Sequence, residues 1–239
     1  MKRKKKVVWA LFDTPKRDVY QVMKDKFDVY SINEYKCGKE CLKECKNHIL
    51  INQFTNWEKA LSVLPKPDII WASPPSNAWS QADTDMRFVN NIFNKGTKTL
   101  FEFNNFKHYK SGDISKFKKR DPMKKMSSFI DCLTKAQMTI EIINKYKTSK
   151  YIIENPETSL FWELLKMMDF GNKSHKTKTY YSSYSPNFSS KPTIYLSSIK
   201  LELQGKKEKA SLMWNDLEEK SRLLIPQKLI QDISNQLEA

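Results

Sequence analysis

Residues 71–80 read WASPPSNAWS and follow the apolar run KPDII. Two prolines directly after a run that reads as a buried strand make a rigid turn at its C-terminal end, and in an open α/β sheet ligands bind at such ends. Ser76 is the residue that this turn would present. A serine hydroxyl is a weak nucleophile that needs an adjacent base. The three histidines include His108 and His175, and neither has a motif that would place it beside Ser76. A second strand-ending turn, YIIENP, carries Glu154, Asn155 and Pro156. Its acid is either a surface carboxylate or the acid of a site. The third group is CGKECLKEC, in which Cys37, Cys41 and Cys45 would share one face of a helix. With His48 they would make a zinc site, but the spacing matches none of the usual zinc patterns. A buried helical stripe is the reading adopted, and no metal is expected.

The elements that must position these residues alternate. KVVWALF reads as a first strand, Val7–Phe12; RDVYQVMKDKF as a helix; DVYSIN as a strand; and NHILINQF as a short strand or its approach. TNWEKALSVL reads as a helix with Thr55 as cap and Glu58 three residues on. PDIIWAS is the fourth strand. Phe129, Leu133, Met138, Ile142 and Ile143 recur at helical spacing in a long helix. The strand SKYIIENP and the helix SLFWELLKMM follow. TKTYYSSYS and KPTIYLSSIKLEL alternate as late strands, and IPQKLIQDISNQL closes the chain as an amphipathic helix with Pro226 near its start. Strand–helix alternation predicts a mostly parallel sheet with helices on both faces, the late strands making an antiparallel edge. With no repeat and no linker, residues 1–239 read as a single domain.

Composition sets the class. The chain has 239 residues, is 39% hydrophobic and carries a formal net charge of +15. It can bury a core, and the excess of lysine favours a polyanionic partner, nucleic acid first; an AT-rich coding sequence would raise lysine as well. No run approaches the roughly 18 apolar residues of a membrane span. The opening MKRKKKVVWALFD has only six apolar residues after its basic start, short of the ~7–15 of a signal-peptide core. The expectation is a cytoplasmic protein with reduced cysteines.

Four stretches, in this order, resemble the cytosine-5 DNA methyltransferase family, in particular its small phage-type members: the Pro-Pro turn in DIIWASPPS; YIIENPETSLFW, where the family has a strand and Glu-Asn-Pro; SSYSPNFSSKPTIYLSS, similar to the family's Tyr-Cys-x-Tyr-Gly…Lys-Pro-Thr stretch; and RLLIPQKLIQDI, similar to its closing helix. The resemblance implies the S-adenosylmethionine-dependent methyltransferase (Rossmann-like) fold. It also implies a thiolate that adds to C6 of a flipped-out cytosine, and a Glu that holds the ring N3 and the exocyclic amine, the base being unreachable within the stack. On this chain the base-holding role falls to Glu154 and the nucleophile position to Ser76. The cofactor would lie against Phe12, Asp13, Asn33, Glu34 and Pro74.

The chain departs from that pattern at several of these places. Ser76 stands where the family has cysteine, so covalent catalysis is expected to be lost or greatly reduced. The family's first loop, Phe-x-Gly-x-Gly, is LFDTPKRD here, with Thr14, Pro15 and Lys16 where glycines let the backbone approach the cofactor. The acid that binds the ribose hydroxyls is replaced by Asn33, with Glu34 one residue on, and the next acid by Asn52-Gln53. The expectation is a member with a degenerate site, a pseudoenzyme in which binding of S-adenosylmethionine is in doubt. The Lys191-Pro192-Thr193 stretch is expected to hold the fold rather than do chemistry.

Residues 104–125 form a basic insertion with interleaved aromatics, in which Lys116, Lys118, Lys119, Arg120, Lys124 and Lys125 are candidate DNA contacts; the alternative is a solvated loop. There is no separate target-recognition domain. Trp79 would stack on a base or belong to the core; Trp71 is expected in the core. Three other readings remain: a functioning DNA methylase with unusual motifs; an adenine amino-methyltransferase, whose Pro-Pro turn has an aromatic where Ser76 stands; and a non-enzymatic interaction or inhibitor protein from a phage or mobile element.

Overall fold

The computed structural model describes residues 4–14, 16–33, 47–51, 56–79, 86–90, 98–103, 122–148, 150–211 and 224–238. Nine strands and five α-helices are seen among them. β1 (Val7–Leu11) is followed by α1 (Asp18–Met23), β2 (Asp28–Asn33), β3 (His48–Leu50), α2 (Trp57–Ser62) and β4 (Ile69–Ala72). A hairpin, β5 (Met86–Asn90) with β6 (Lys98–Phe103), precedes α3 (Pro122–Tyr146). The chain continues through β7 (Lys150–Pro156), α4 (Phe161–Met167), β8 (His175–Tyr180), β9 (Pro192–Ser197) and α5 (Gln227–Glu238).

Seven strands form one sheet in the order β3-β2-β1-β4-β7-β9-β8. The first five are parallel, and β9 runs antiparallel to both β7 and β8. The order reverses between β1 and β4, so their C-terminal ends form a switch point where a crevice opens. A parallel sheet with an antiparallel strand inserted next to its last edge is the arrangement of the Rossmann-like S-adenosylmethionine methyltransferase fold, as the sequence led us to expect.

The period of two along each strand divides the core. Val7, Trp9 and Leu11 of β1, Ile70 and Ala72 of β4 and Ile153 of β7 pack under α2, α3 and α4. Val8 and Ala10, Ile69 and Trp71, and Ile152 face the other way, under α1 and α5. Helices therefore cover both faces, and the central strands read as unbroken apolar runs because neither face meets water.

Several boundaries differ from expectation. α1 ends at Met23, and Lys26 and Phe27 turn back to bond the Met23 carbonyl. α2 is capped by Asn56, whose side chain accepts from the Lys59 amide at 3.1 Å; Thr55 lies outside the described residues. β8 stops at Tyr180, and Tyr181–Ser183 form a 3₁₀ turn rather than more strand. β9 ends at Ser197, and residues 198–211 after it are irregular. Among the described residues no helix is long and apolar enough to cross a membrane, and no group of three His, Cys, Asp or Glu is placed to hold a metal. Cys37, Cys41 and Cys45 lie outside the described residues.

Candidate functional site

A cleft opens at the C-terminal ends of β1, β4 and β7. It is lined by Phe12, Asp13, Thr14 and Asn33 on one side and by Glu154, Asn155, Tyr181 and Lys191 on the other, with the Ser73–Ser76 turn and Lys135 between. It encloses about 130 Å³ among the described residues, less than the ~300–1,000 Å³ of a typical ligand pocket. The sheet order thus brings together Phe12, Asp13, Asn33, Pro74, Ser76 and Glu154, the described residues that the sequence singled out.

The first side of the cleft is occupied with its own structure. α1 begins without a side-chain cap at Arg17, and its first amides need acceptors. Asp13 supplies them. Its Oδ1 accepts from the Thr14 amide at 2.8 Å and the Val19 amide at 3.1 Å, and its Oδ2 accepts from the Tyr20 amide at 3.1 Å. Thr14 Oγ1 takes the Asp18 amide at 3.1 Å. The turn requires left-handed backbone at Phe12 (φ 56°) and Arg17 (φ 57°). Such a conformation is strained for residues with a Cβ, at a cost of about 1–3 kcal/mol each. Burial raises the Asp13 carboxyl to about 7, against the pull of its three amide donors.

This side is where the cofactor implied by the fold would present its ammonium and its ribose diol, groups that ask for free acceptors. Both oxygens of Asp13 are spent on amides, and Asn33 donates its amide nitrogen to Ser31 Oγ at 3.2 Å. The one described carboxyl that lines this end thus meets S-adenosylmethionine with three of its about four acceptor positions already taken. Pro15, Glu34, Asn52 and Gln53 lie outside the described residues.

The other side is built as a site. β7 and β9 pair with Glu154 opposite Tyr195. The 3₁₀ turn after β8 swings Tyr181 over them, and its hydroxyl donates to Glu154 Oε1 at 3.1 Å. Burial, and then the Glu154 carboxylate, push the phenols of Tyr181 and Tyr195 well above their ordinary range. The Lys191 ammonium lies 5.7 Å from the centre of the Tyr181 ring. Burial lowers its pKa, and the charge of Glu154 opposes that shift. Asn155 faces the opposite way from Glu154 and donates to the Pro74 carbonyl at 2.9 Å. Its own carbonyl oxygen is buried and meets no partner among the described residues.

Ser76 sits half-buried in the turn, its carbonyl accepting from the Trp79 amide at 3.0 Å. No histidine lines the cleft among the described residues. Lys135 does, with its side chain 2% exposed and paired to Asp131. Trp79 is core, edge-on to Phe129 at 5.5 Å, and Trp71 is core against Tyr195.

Comparison with known proteins finds no family model that matches the chain and no curated protein that does. Among solved structures, a methyltransferase of Entamoeba histolytica, EhMeth, is similar over 87% of this chain and 58% of its own, with a TM-score of 0.46 and 13% identity. A precorrin-6y C5,15-methyltransferase from Geobacter metallireducens is similar over 83% of this chain and 81% of its own, with a TM-score of 0.36 and 8% identity. The chain thus spans less than two thirds of the first of these. Its own strand order, not these distant likenesses, carries its fold class.

Sequence reasoning did not single out Tyr181, Tyr195 or Lys135. A signal for Lys135 was present: it falls three residues after Cys132 and four before Thr139, on the stripe that α3 buries. Tyr181 was hidden because the stretch around it reads as strand until the 3₁₀ turn re-aims it. Lys116, Lys118, Lys119 and Arg120 lie outside the described residues. Lys124 and Lys125 fall in the first turn of α3.

Proposed function

We propose that this chain is a degenerate relative of the cytosine-5 DNA methyltransferases, a protein that keeps the fold and the base-facing side of the cleft, has lost methyl transfer and retains contact with nucleic acid. The observation that carries this reading is the use of the Asp13 carboxylate as the cap of α1. A loop whose acid already accepts three amides to start a helix is poorly placed to take a cofactor's polar end as well. The opposite side supports the resemblance. There Glu154 is buried, aimed by Tyr181, and beside a turn bolted in place through Asn155. A carboxyl so held is suited to accept from an exocyclic amine. Among the described residues no imidazole lines the cleft to take a proton from Ser76, and Lys135 is tied to Asp131.

S-adenosylmethionine supplies an electrophilic methyl group wherever it is bound, so its binding decides the reading. Calorimetric titration is expected to show no binding, or binding weaker than about 1 mM. A micromolar dissociation constant would overturn the proposal in favour of a working methylase with an unusual first loop.

A further inference from the structure

Residues 198–211, after β9, have no regular structure, yet residues 201–208 follow a defined course. Four hydroxyls pin their carbonyls. Thr177 Oγ1 donates to Leu201 at 3.2 Å, Thr179 Oγ1 to Gln204 at 2.6 Å, Ser183 Oγ to Lys206, and Ser190 Oγ to Glu208 at 3.1 Å. The segment is therefore a strap that runs beside the edge strand β8 and on towards the turn that carries Tyr181. At Gly205 it passes so close that a Cβ would lie 3.9 Å from the Lys178 carbonyl. With its carbonyls held inward, the strap leaves its long side chains in water.

The strap's own charges balance, Lys206 and Lys207 against Glu202 and Glu208, but the wider stretch that it closes is cationic. Residues 173–209 contain eight lysines, two glutamates and no other charged residue, save His175 when it is protonated. The difference of +6 is two fifths of the chain's net +15 in less than a sixth of its length. Seven of the lysines are exposed, and the eighth, Lys191, lines the cleft. Lys173, Lys176, Lys200, Lys207 and Lys209 make no ion pair among the described residues. Among the described residues acids pair with two of the exposed lysines: Glu157, from the turn after β7, with Lys178, and Glu208, on the strap itself, with Lys206. Both pairs are exposed, where a polyanion competes readily. Rings restrain two of the ammonium groups: Lys176 lies 5.8 Å from Trp162 and Lys178 5.3 Å from Tyr180. An ammonium over a ring still donates to phosphate, and holding it there lowers the ordering cost of binding.

We propose that the β8 edge and the 201–208 strap form a track for single-stranded nucleic acid that runs from the turn after α4 to the mouth of the cleft. β8 is six residues long, so at ~3.3 Å per residue the track is about 20 Å, a few nucleotides of extended strand. Lys176 and Lys178 lie on the face of β8 opposite the threonines that hold the strap, so a single strand following this edge meets cations from both sides, with half-buried Tyr180 beside it. The proposal goes beyond the preceding reading, since it holds whether or not the chain binds S-adenosylmethionine.

The test is fluorescence anisotropy of the full chain with labelled oligothymidylate, oligouridylate and a duplex across a salt series, using K173Q/K176Q/K207Q/K209Q. For single strands each lost phosphate contact lowers the salt slope by about 0.7. The variant is expected to bind single strands more weakly, with a slope flatter by about 3, while the matching lysine-to-arginine variant retains the wild-type slope. Equal loss on both oligomers supports a shared phosphate track; loss on one alone supports it and identifies which sugar is taken. An unchanged slope in a folded glutamine variant overturns the proposal, as does no single-strand binding by the wild type. So does displacement by polyglutamate as readily as by oligonucleotide, which would mark an acidic protein as the partner. If instead only K116Q/K118Q/K119Q/R120Q flattens the slope, the contact belongs to the 104–125 insertion and the track is wrong. None of these outcomes depends on the calorimetry with S-adenosylmethionine.

Discussion

The side chain of Asn155 donates to the carbonyl of Pro74 at 2.9 Å, a single bond between strand ends 81 residues apart in sequence. It holds the Pro-Pro turn against the end of β7 and so fixes Ser76 relative to Glu154. Both partners are buried. Replacing Asn155 with alanine leaves the Pro74 carbonyl without its donor, which costs about 1–3 kcal/mol. Urea unfolding of Asn155→Ala is expected to show a loss in that range. A loss below about 0.5 kcal/mol, the scatter of a neutral surface change, would mean that the bond does not hold the turn.

The Tyr181–Glu154 hydrogen bond makes a second prediction. A bond to a buried carboxyl contributes about 1–3 kcal/mol. A double-mutant cycle with Tyr181→Phe and Glu154→Gln should give a coupling energy of about 1 kcal/mol or more. Spectrophotometric titration should also show the Tyr181 phenol protonated past the pH at which exposed tyrosines ionise, because burial and the neighbouring carboxylate both resist its charge. A coupling near zero would mean that Tyr181 covers the acid without aiming it.

Asp13 sets a pH dependence whose sign runs against the usual one for a carboxylate. In the unfolded chain it ionises near 3.8, and in the fold near 7. Between those values the folded state holds a proton that the unfolded state has released. Stability therefore falls as pH rises from about 4 to about 7 and is level above that. The difference of about three units corresponds to roughly 4 kcal/mol. Asp13→Asn cannot titrate. Its amide places a donor towards the Tyr20 amide and lowers stability overall, but its stability curve should lack this slope. Parallel slopes for the two proteins between pH 4 and 7 would show that Asp13 is ionised throughout.

The central strands were legible because β1, β4 and β7 are buried on both faces and therefore read as continuous apolar runs. The β5–β6 hairpin was not, since seven residues, 91–97, separate its strands and no two-residue turn signal marks it. In the cleft, Ser76 and Glu154 were legible from their proline turns, which stop strands at the sheet's C-terminal edge. The role of Asp13 was not. Its partners are amides six and seven residues further on, and they face it only because Phe12 and Arg17 adopt left-handed backbone. Nothing in the types of those two residues announces that. The same holds for Thr177, Thr179, Ser183 and Ser190, which alternation marks as strand or loop and which act instead as donors to the strap.

Ser76→Cys asks whether the site lacks one part or several. A thiol at this position would stand in the cleft that Glu154 lines, so if the nucleophile alone were missing, methyl transfer should appear. It is expected not to, because Asp13 on the other side of the cleft already accepts three amides and is a poor partner for the methyl donor. Catalytic groups that act as a unit are strongly non-additive, and restoring one recovers little when another is absent. The measurement is transfer of labelled methyl from S-adenosylmethionine to mixed-sequence DNA by the wild type and by Ser76→Cys, each shown to be folded by its thermal transition. Transfer by the variant alone would mean that the cofactor side is intact and the serine is the sole defect. Transfer by the wild type would mean that Ser76 finds a base, with Lys135, the buried amine in the same cleft, the first residue to replace. No transfer by either protein is the expected result.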